Sequence, residues 1–300
     1  MNPEAGGAEG PGLPLTLDQA QDIDARLASL RAPLAERALS DVTFCNLHLF
    51  REAHAYRYLP GPWPAIAGRT YDGAPILIPL FDIAAAPLEA LRELQGPSAW
   101  FYPLADETLA RMDPARIEAH ALRDDADYLY AAAQFLDYEG AGLGPKRQAI
   151  ARLLATRRIT VTALGPDTHA AALDVLDGWF ADKGRGPDEA DGQACRDALA
   201  QLGGKGPLSG FLHRADGVPA GFVVVEALNP GVLAVRFAKG RASYDGIFAH
   251  LFQELVRRSI PQPQWLNFEQ DLGKPNFRQT KRSFRPAALL AKHRVRIRAG

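Results

Sequence analysis

NFEQDLGKPNFRQTKRSFRP, residues 267–286, follows Gln264-Trp265-Leu266, a short apolar run that reads as a buried strand. Polar residues then crowd together: Asn267, Glu269, Gln270, Asp271, Lys274, Asn276, Arg278, Lys281, Arg282 and Arg285. Side chains alternate along an extended strand, so Asn267, Glu269 and Asp271 are expected on one face and Phe268 and Gln270 on the other. Arg278 and Lys281 lie three apart, on one face of the helix that follows, and suit a phosphate or a carboxylate. A strand ending in carboxylates that runs into a cationic helix brings acids and cations to one rim of a sheet, where a ligand can reach. The same letters also read as a solvated strand end with a basic surface helix, and Asp271 with Arg278 as a structural ion pair.

Upstream, the second half reads as a strand over 158–164, helices over 167–181 and 188–202, and strands over 208–214, 220–228 and 232–238. Asp216-Gly217 and Asn229-Pro230-Gly231 supply the turns between the last three. A helix over 244–258, the strand 265–268, a helix over 274–282 and a last strand over 289–297 complete it. In the first half, Asp18 caps a helix to about residue 31, with Ile23, Leu27 and Leu30 as its apolar stripe. Helices over 34–39 and 42–52 follow. Strands over 56–59, 75–81, 99–104 and 117–121 alternate with helices over 87–94 and 106–112, and short segments lie at 128–130 and 134–138. This order predicts an α/β protein, of the α+β kind with mixed sheets. Glycines at 140, 142 and 144 make a turn, after which Pro145 opens a helix to about residue 157. That turn lacks the spacing of a nucleotide-binding loop.

The chain has 300 residues, 47% hydrophobic and 23% charged, enough for two ordinary domains. Its apolar runs are far too short to span a bilayer, and the start lacks the basic flank and apolar core of a secretory signal. Cys45 and Cys195 are too few for a disulfide framework and read as small buried side chains, so the cytoplasm is the expected location. The net charge of −1 conceals a step: residues 1–145 carry 10 Arg and no Lys against 21 carboxylates, a net −11, and residues 146–300 carry +10. The Gly/Pro/Glu-rich start predicts a disordered tail over 1–14, and the step, with the glycine turn, predicts one lobe over 15–145 and a second over 146–300. It fits lobes that attract each other, and equally a second lobe that meets a phosphate-bearing partner. The seven histidines show no paired metal-ligand spacing, and there is no Gly-x-Ser-x-Gly nucleophile motif.

The order N-x-E-Q-D-L-G, then a basic helix with R-x-x-K, then an aromatic and a proline, resembles the C-terminal domain family of lysylphosphatidylglycerol synthase. S-D-V-T-F-C-N-L-H-L-F-R from Ser40 resembles that family's opening segment. G-P-K-R-Q-x-I, with Lys146 and Arg147, resembles the segment leading into its second lobe, Gln148 standing where Asn is expected. The resemblance implies a tandem pair of GNAT-like acyltransferase lobes related to Fem-type enzymes, which take an amino acid from aminoacyl-tRNA. Strand, two helices, three-strand meander, helix, strand, helix, strand, as read for the second half, is the GNAT order.

A donor is then expected where the fourth and fifth strands splay, with its anionic part at the next helix N-terminus. That stretch here, 239–246, has two glycines and two cations without the usual acyl-CoA spacing. The implied activity is transfer of an aminoacyl group from tRNA to an amine or hydroxyl of a lipid or small molecule. No bound cofactor is expected, and aminoacyl-tRNA is the co-substrate. Asp271 and Glu269 are the candidate catalytic carboxylates, because an activated ester needs mainly positioning and a proton acceptor. Asn267, Arg278, Lys281, Arg236, Tyr244, Lys146 and Arg147 are the candidate donor- or substrate-binding residues. An acyl-CoA-dependent N-acyltransferase and a catalytically silent binding protein are the alternatives.

Overall fold

In a computed structural model of the chain, residues 12–184, 186, 191–204 and 206–298 are described. The elements run β1 (Leu13–Pro14), α1 (Ala20–Arg31), α2 (Phe44–Leu49), β2 (Arg57–Leu59), β3 (Ala65–Arg69), β4 (Pro75–Pro79), α3 (Leu88–Gln95), β5 (Trp100–Leu104), α4 (Asp106–Leu109) and β6 (Ile117–Ala121). Then come β7 (Asp127–Ala131), α5 (Gln134–Asp137), α6 (Gly144–Thr156), β8 (Ile159–Ala163), α7 (His169–Lys183), α8 (Gly192–Gln201), β9 (Leu208–Ala215), β10 (Val218–Asn229) and β11 (Val232–Gly240). The chain continues with α9 (Ile247–Arg258), β12 (Trp265–Asn267), α10 (Pro275–Ser283), β13 (Ala288–Leu290) and β14 (His293–Ile297).

Two compact units result. The first comprises Met1–Leu30, Asp41–Ala121 and Lys292–Gly300, the second Arg31–Ser40 and Leu122–Ala291. Each holds one mixed seven-stranded sheet, β1-β2-β3-β4-β5-β14-β6 in the first and β13-β7-β12-β11-β10-β9-β8 in the second. The two orders match strand for strand. Each is a meander whose last strand pairs in parallel with the strand beyond a helix, β4 with β5 and β11 with β12. In each, one strand is inserted antiparallel between the last two. The inserted strand of the second sheet, β7, comes from the first half of the chain, and that of the first sheet, β14, from its end. The fold therefore carries an internal repeat and is α/β with tandem GNAT-like lobes.

This exchange places the division elsewhere than the step expected at residue 145. Residues 122–145 belong with the second unit and 292–298 with the first, and the strand expected over 289–297 is two strands in different sheets. Most of the charge step goes with it: counted over the units as folded, the first carries −4 and the second +3. The tail expected over 1–14 ends earlier, because Leu13 and Pro14 pair with Tyr58 and Arg57; residues 1–11 lie outside the described residues. A short 3-10 turn, Leu17–Gln19, leads into the first helix; the Gln19 side chain accepts from the Thr16 amide at 3.0 Å, and Asp18 lies inside the turn rather than at its cap. Thr43 caps α2, which is shorter than expected, by accepting from the Asn46 amide at 3.1 Å.

In the second unit β10 is an inner strand, and residues 220–226 are buried on both faces, as a strand covered on both sides requires. One face packs on α9 through an aromatic cluster that includes Phe135, Phe252, Phe268 and Phe284. The other is covered by α7. Asp216-Gly217 makes the expected hairpin turn, both residues with positive φ, which glycine takes without strain. The first unit buries Ile23 and Leu27 of α1 against Ile66, Ile76 and Ile78. Cys45 and Cys195 are free and buried.

Candidate active site

The strands β11 and β12 pair only from Val232↔Trp265 to Ala234↔Asn267. Beyond that β11 runs on to Gly240 while β12 stops, so the second sheet splays. The stop has a local cause. The Asn267 side chain accepts from the Glu269 amide at 2.8 Å, and Glu269 turns into the left-handed region at φ +59°. Leu272 follows at φ +54°. Strand alternation therefore fails after Asn267, and Glu269 and Asp271 do not share a face as expected. They enter two different clusters.

The first cluster surrounds Arg236, which is buried on β11. Its guanidinium donates to Glu226 at 2.7–2.8 Å, to Glu269 Oε1 at 2.6 Å and to the Ser40 carbonyl at 2.8 Å. Alongside, Asp127 accepts from the Ser40 amide and hydroxyl at 2.8 and 2.9 Å and from Asn267 Nδ2 at 3.0 Å. Asn267 is fully buried and serves this framework. Glu226 is nearly inaccessible, whereas the Glu269 side chain keeps 20% of its surface. Burial raises the Glu269 carboxyl above the usual carboxylate range, and Arg236, which it shares with Glu226, offsets this only in part.

The second cluster closes around Asp271, which is wholly buried. Its Oδ2 accepts from the Tyr128 hydroxyl at 2.6 Å, Arg278 Nε at 2.9 Å and Arg123 Nη1 at 3.3 Å. Its Oδ1 accepts from the Gly273 amide at 2.9 Å and Arg278 Nη2 at 3.0 Å. Burial would raise this carboxyl, but the Arg278 fork, the Tyr128 hydroxyl and the Gly273 amide outweigh it and hold it at about 2. Arg278 also pairs with Asp124. Lys281 donates to the carbonyls of Phe268 and Gln270 at 2.5 Å and of Glu269 at 3.1 Å, so α10 ties down the turn that precedes it. Asp271 is thus inside the turn and not at its mouth, and Arg278 and Lys281 are engaged by the protein itself.

The remaining candidates lie apart from Glu269. Lys146 sits over the Phe284 ring at 4.2 Å, with burial lowering its ammonium, and Arg147 donates to the Tyr138 carbonyl at 3.0 Å. Tyr244 packs beside Leu153, Ile159 and Ile247. The loop expected to receive an anion is filled from within. Lys239 pairs with Asp191 at 2.8 Å and Arg241 with Asp182 at 2.9 Å. Gly246, at the start of α9, lies so close to α6 that a Cβ there would stand 2.4 Å from the Ala149 carbonyl oxygen.

Asp127, Glu226, Tyr128, Arg123 and Asp124 escaped the sequence reading, and Ser40 entered it only as the start of a motif. Glu226 had a signal, a single carboxylate inside the apolar run GFVVVEAL. A charge there must be paired when the strand is buried.

No curated protein matches the chain in sequence. A conserved protein of unknown function from Bacteroides thetaiotaomicron has a similar structure, with TM-score 0.79 and 21% identity over 96% of this chain and 99% of that one. So does the C-terminal domain of a putative lysylphosphatidylglycerol synthetase from Agrobacterium fabrum, with TM-score 0.59 and 18% identity over 92% and 93%. FemX aligns with TM-score 0.58 and 8% identity over 93% and 96%. At these identities the likenesses concern the fold. The family model for the C-terminal domain of phosphatidylglycerol lysyltransferase matches residues 32–296, and the chain belongs to that family.

Proposed function

We propose that the chain is an aminoacyltransferase, moving an aminoacyl group from aminoacyl-tRNA to an amine or hydroxyl acceptor, with Glu269 as the proton acceptor. The observation that carries this reading is Glu269 itself. It is a partly exposed carboxylate at the splay of β11 and β12, raised in pKa and fixed by Arg236. In the step, the acceptor nitrogen or oxygen attacks the ester carbonyl carbon and its proton passes to Glu269. The carbon–oxygen bond to the terminal ribose then breaks, and that ribose oxygen takes the proton, which returns Glu269 to its starting form. Asp271, at about 2 and fully hydrogen-bonded, is poorly suited to receive a proton and instead holds the turn that presents Glu269.

An acyl-CoA donor is the second reading. The packing of α6 on Gly246 weighs against it, because a backbone carbonyl occupies the helix start where a pyrophosphate would bind. The family's name makes phosphatidylglycerol one acceptor to try, and among the described residues no helix is long and apolar enough to cross a membrane. The test is to present labelled aminoacyl-tRNAs, with phosphatidylglycerol vesicles or a mixture of small amines, in parallel with acetyl-CoA. Label should leave tRNA in an acceptor-dependent way, and Glu269→Gln should slow this about 100-fold or more at unchanged melting temperature. Acetyl-CoA turnover with tRNA untouched would replace this reading with the second. Turnover of neither donor would leave a silent binding protein.

A further inference from the structure

The first unit holds an open pocket of about 570 Å³ that the transferase reading does not use. Three arginines line it, Arg92 from α3, Arg116 just before β6 and Arg298 just after β14, together with Glu89, Pro87 and Leu88. The chain brings them together from positions 92, 116 and 298 through the insertion of β14 beside β6.

Two of the arginines are held by the backbone through one nitrogen each. Arg92 Nε donates to the Arg298 carbonyl at 3.0 Å, and Arg298 Nε donates to the Ile117 carbonyl at 2.7 Å. The Arg298 amide in turn donates to the Arg116 carbonyl at 2.9 Å. A guanidinium tethered by Nε is fixed in orientation and keeps its two Nη groups for a planar or tetrahedral anion. Among the described residues, neither Arg92 nor Arg298 forms an ion pair with a carboxylate, while Arg116 shares an exposed pair with Asp113 at 3.2 Å. With Glu89 counted, the pocket lining is net +2 inside a unit whose overall charge is −4.

We propose that this pocket binds the phosphate of a small phosphomonoester. A compact dianion answers the local surplus of positive charge, whereas the acidic unit around it disfavours an extended polyanion such as an RNA backbone. The volume is larger than phosphate alone needs, and Pro87 and Leu88 offer apolar wall to an attached organic group. The site is independent of the transfer chemistry assigned to Glu269.

Calorimetric titration of the full chain with inorganic phosphate, ribose 5-phosphate, AMP and adenosine, at fixed ionic strength, tests this. The phosphomonoesters should bind and adenosine should not, and ribose 5-phosphate or AMP should bind more tightly than inorganic phosphate. Equal binding by inorganic phosphate would identify free phosphate as the ligand source and overturn the phosphomonoester assignment. Arg298→Gln and Arg92→Gln should each weaken binding about 10-fold, since each removes a charge-assisted hydrogen-bond donor. Because Arg298→Gln also removes a tether, Glu89→Gln serves as the second variant. It leaves every donor in place and should tighten binding about threefold. Binding of adenosine as tight as AMP, no phosphomonoester binding at millimolar concentration, or binding indifferent to all three substitutions would each overturn the proposal. A short RNA duplex binding more tightly than AMP, and competing with it, would do the same.

Discussion

The two sheets share an order and differ at their splayed ends. Counting two residues past the last parallel pair in each, Leu77↔Phe101 leads to Pro79 and Pro103 in the first sheet. Ala234↔Asn267 leads to Arg236 and Glu269 in the second. Pro79 and Pro103 have no amide hydrogen to offer a ligand, and Leu80 and Leu104 just beyond them are buried and apolar. The second sheet has a guanidinium bridging two carboxylates at the corresponding place. The same backbone plan thus carries packing in one unit and an ionisable site in the other. Geometry alone does not make the site; it comes from charged residues tolerated inside the sheet only because they are mutually paired.

The largest effect expected is on that pairing. Arg236→Leu should destabilise the protein by about 3–5 kcal/mol, because it strands Glu226 and Glu269. Making the second sheet resemble the first, with Glu226→Leu, Arg236→Leu and Glu269→Leu together, should recover much of that loss in urea unfolding while abolishing transfer. A triple variant less stable than the single one would break the comparison. Leu80→Ala in the first sheet should cost about 2–5 kcal/mol, with transfer falling only as far as the folded fraction falls. A larger loss of transfer would give the first sheet a part in the chemistry.

Asp271→Asn should cost about 2 kcal/mol at pH 7, with turnover per folded molecule little changed. The sign follows from the depressed carboxyl. A group held at about 2 when folded, against an ordinary value near 4, contributes stability above pH 4 and loses it as pH falls from 4 to 2. The gap between wild type and variant in urea unfolding should therefore close over that window. A fall in turnover of about 100-fold at intact stability would return Asp271 to the chemistry in place of Glu269.

The smallest effect concerns tRNA. Lys274, Arg282 and Arg285 are exposed on or beside α10. Reversing all three should lower the slope of log affinity against log salt by about 1–3, and leave transfer chemistry intact at saturating tRNA. An unchanged slope would move the tRNA contact elsewhere.

Local order was largely legible in the letters. Apart from the last strand, the elements of the second half fall within a few residues of their expected positions, because each carries its own period and its own turn residues. The strand Ala65–Arg69 was missed, since Ala-Ile-Ala-Gly-Arg has neither a sustained apolar run nor a clear alternation. Sheet membership was not legible. Val295 and Ile297 look like any strand residues, and nothing local says that they pair with Phe101 and Ile117 and not with the strand just before them. At the site, Glu269 and Arg236 were both named, yet their partnership was not, because it depends on Glu269 leaving the extended conformation. Asp271 was placed at the rim on the assumption that alternation continued through that residue.

The strand exchange also imposes an order in time. During synthesis the first sheet must wait, with β5 and β6 unjoined, until residues 293–297 have left the ribosome, the first of them 172 residues after the end of β6. The second sheet has no such wait for β7, which is made before any of its neighbours. The unit made first is therefore the one completed last. Until then, the facing edges of β5 and β6 are open to pairing with another chain.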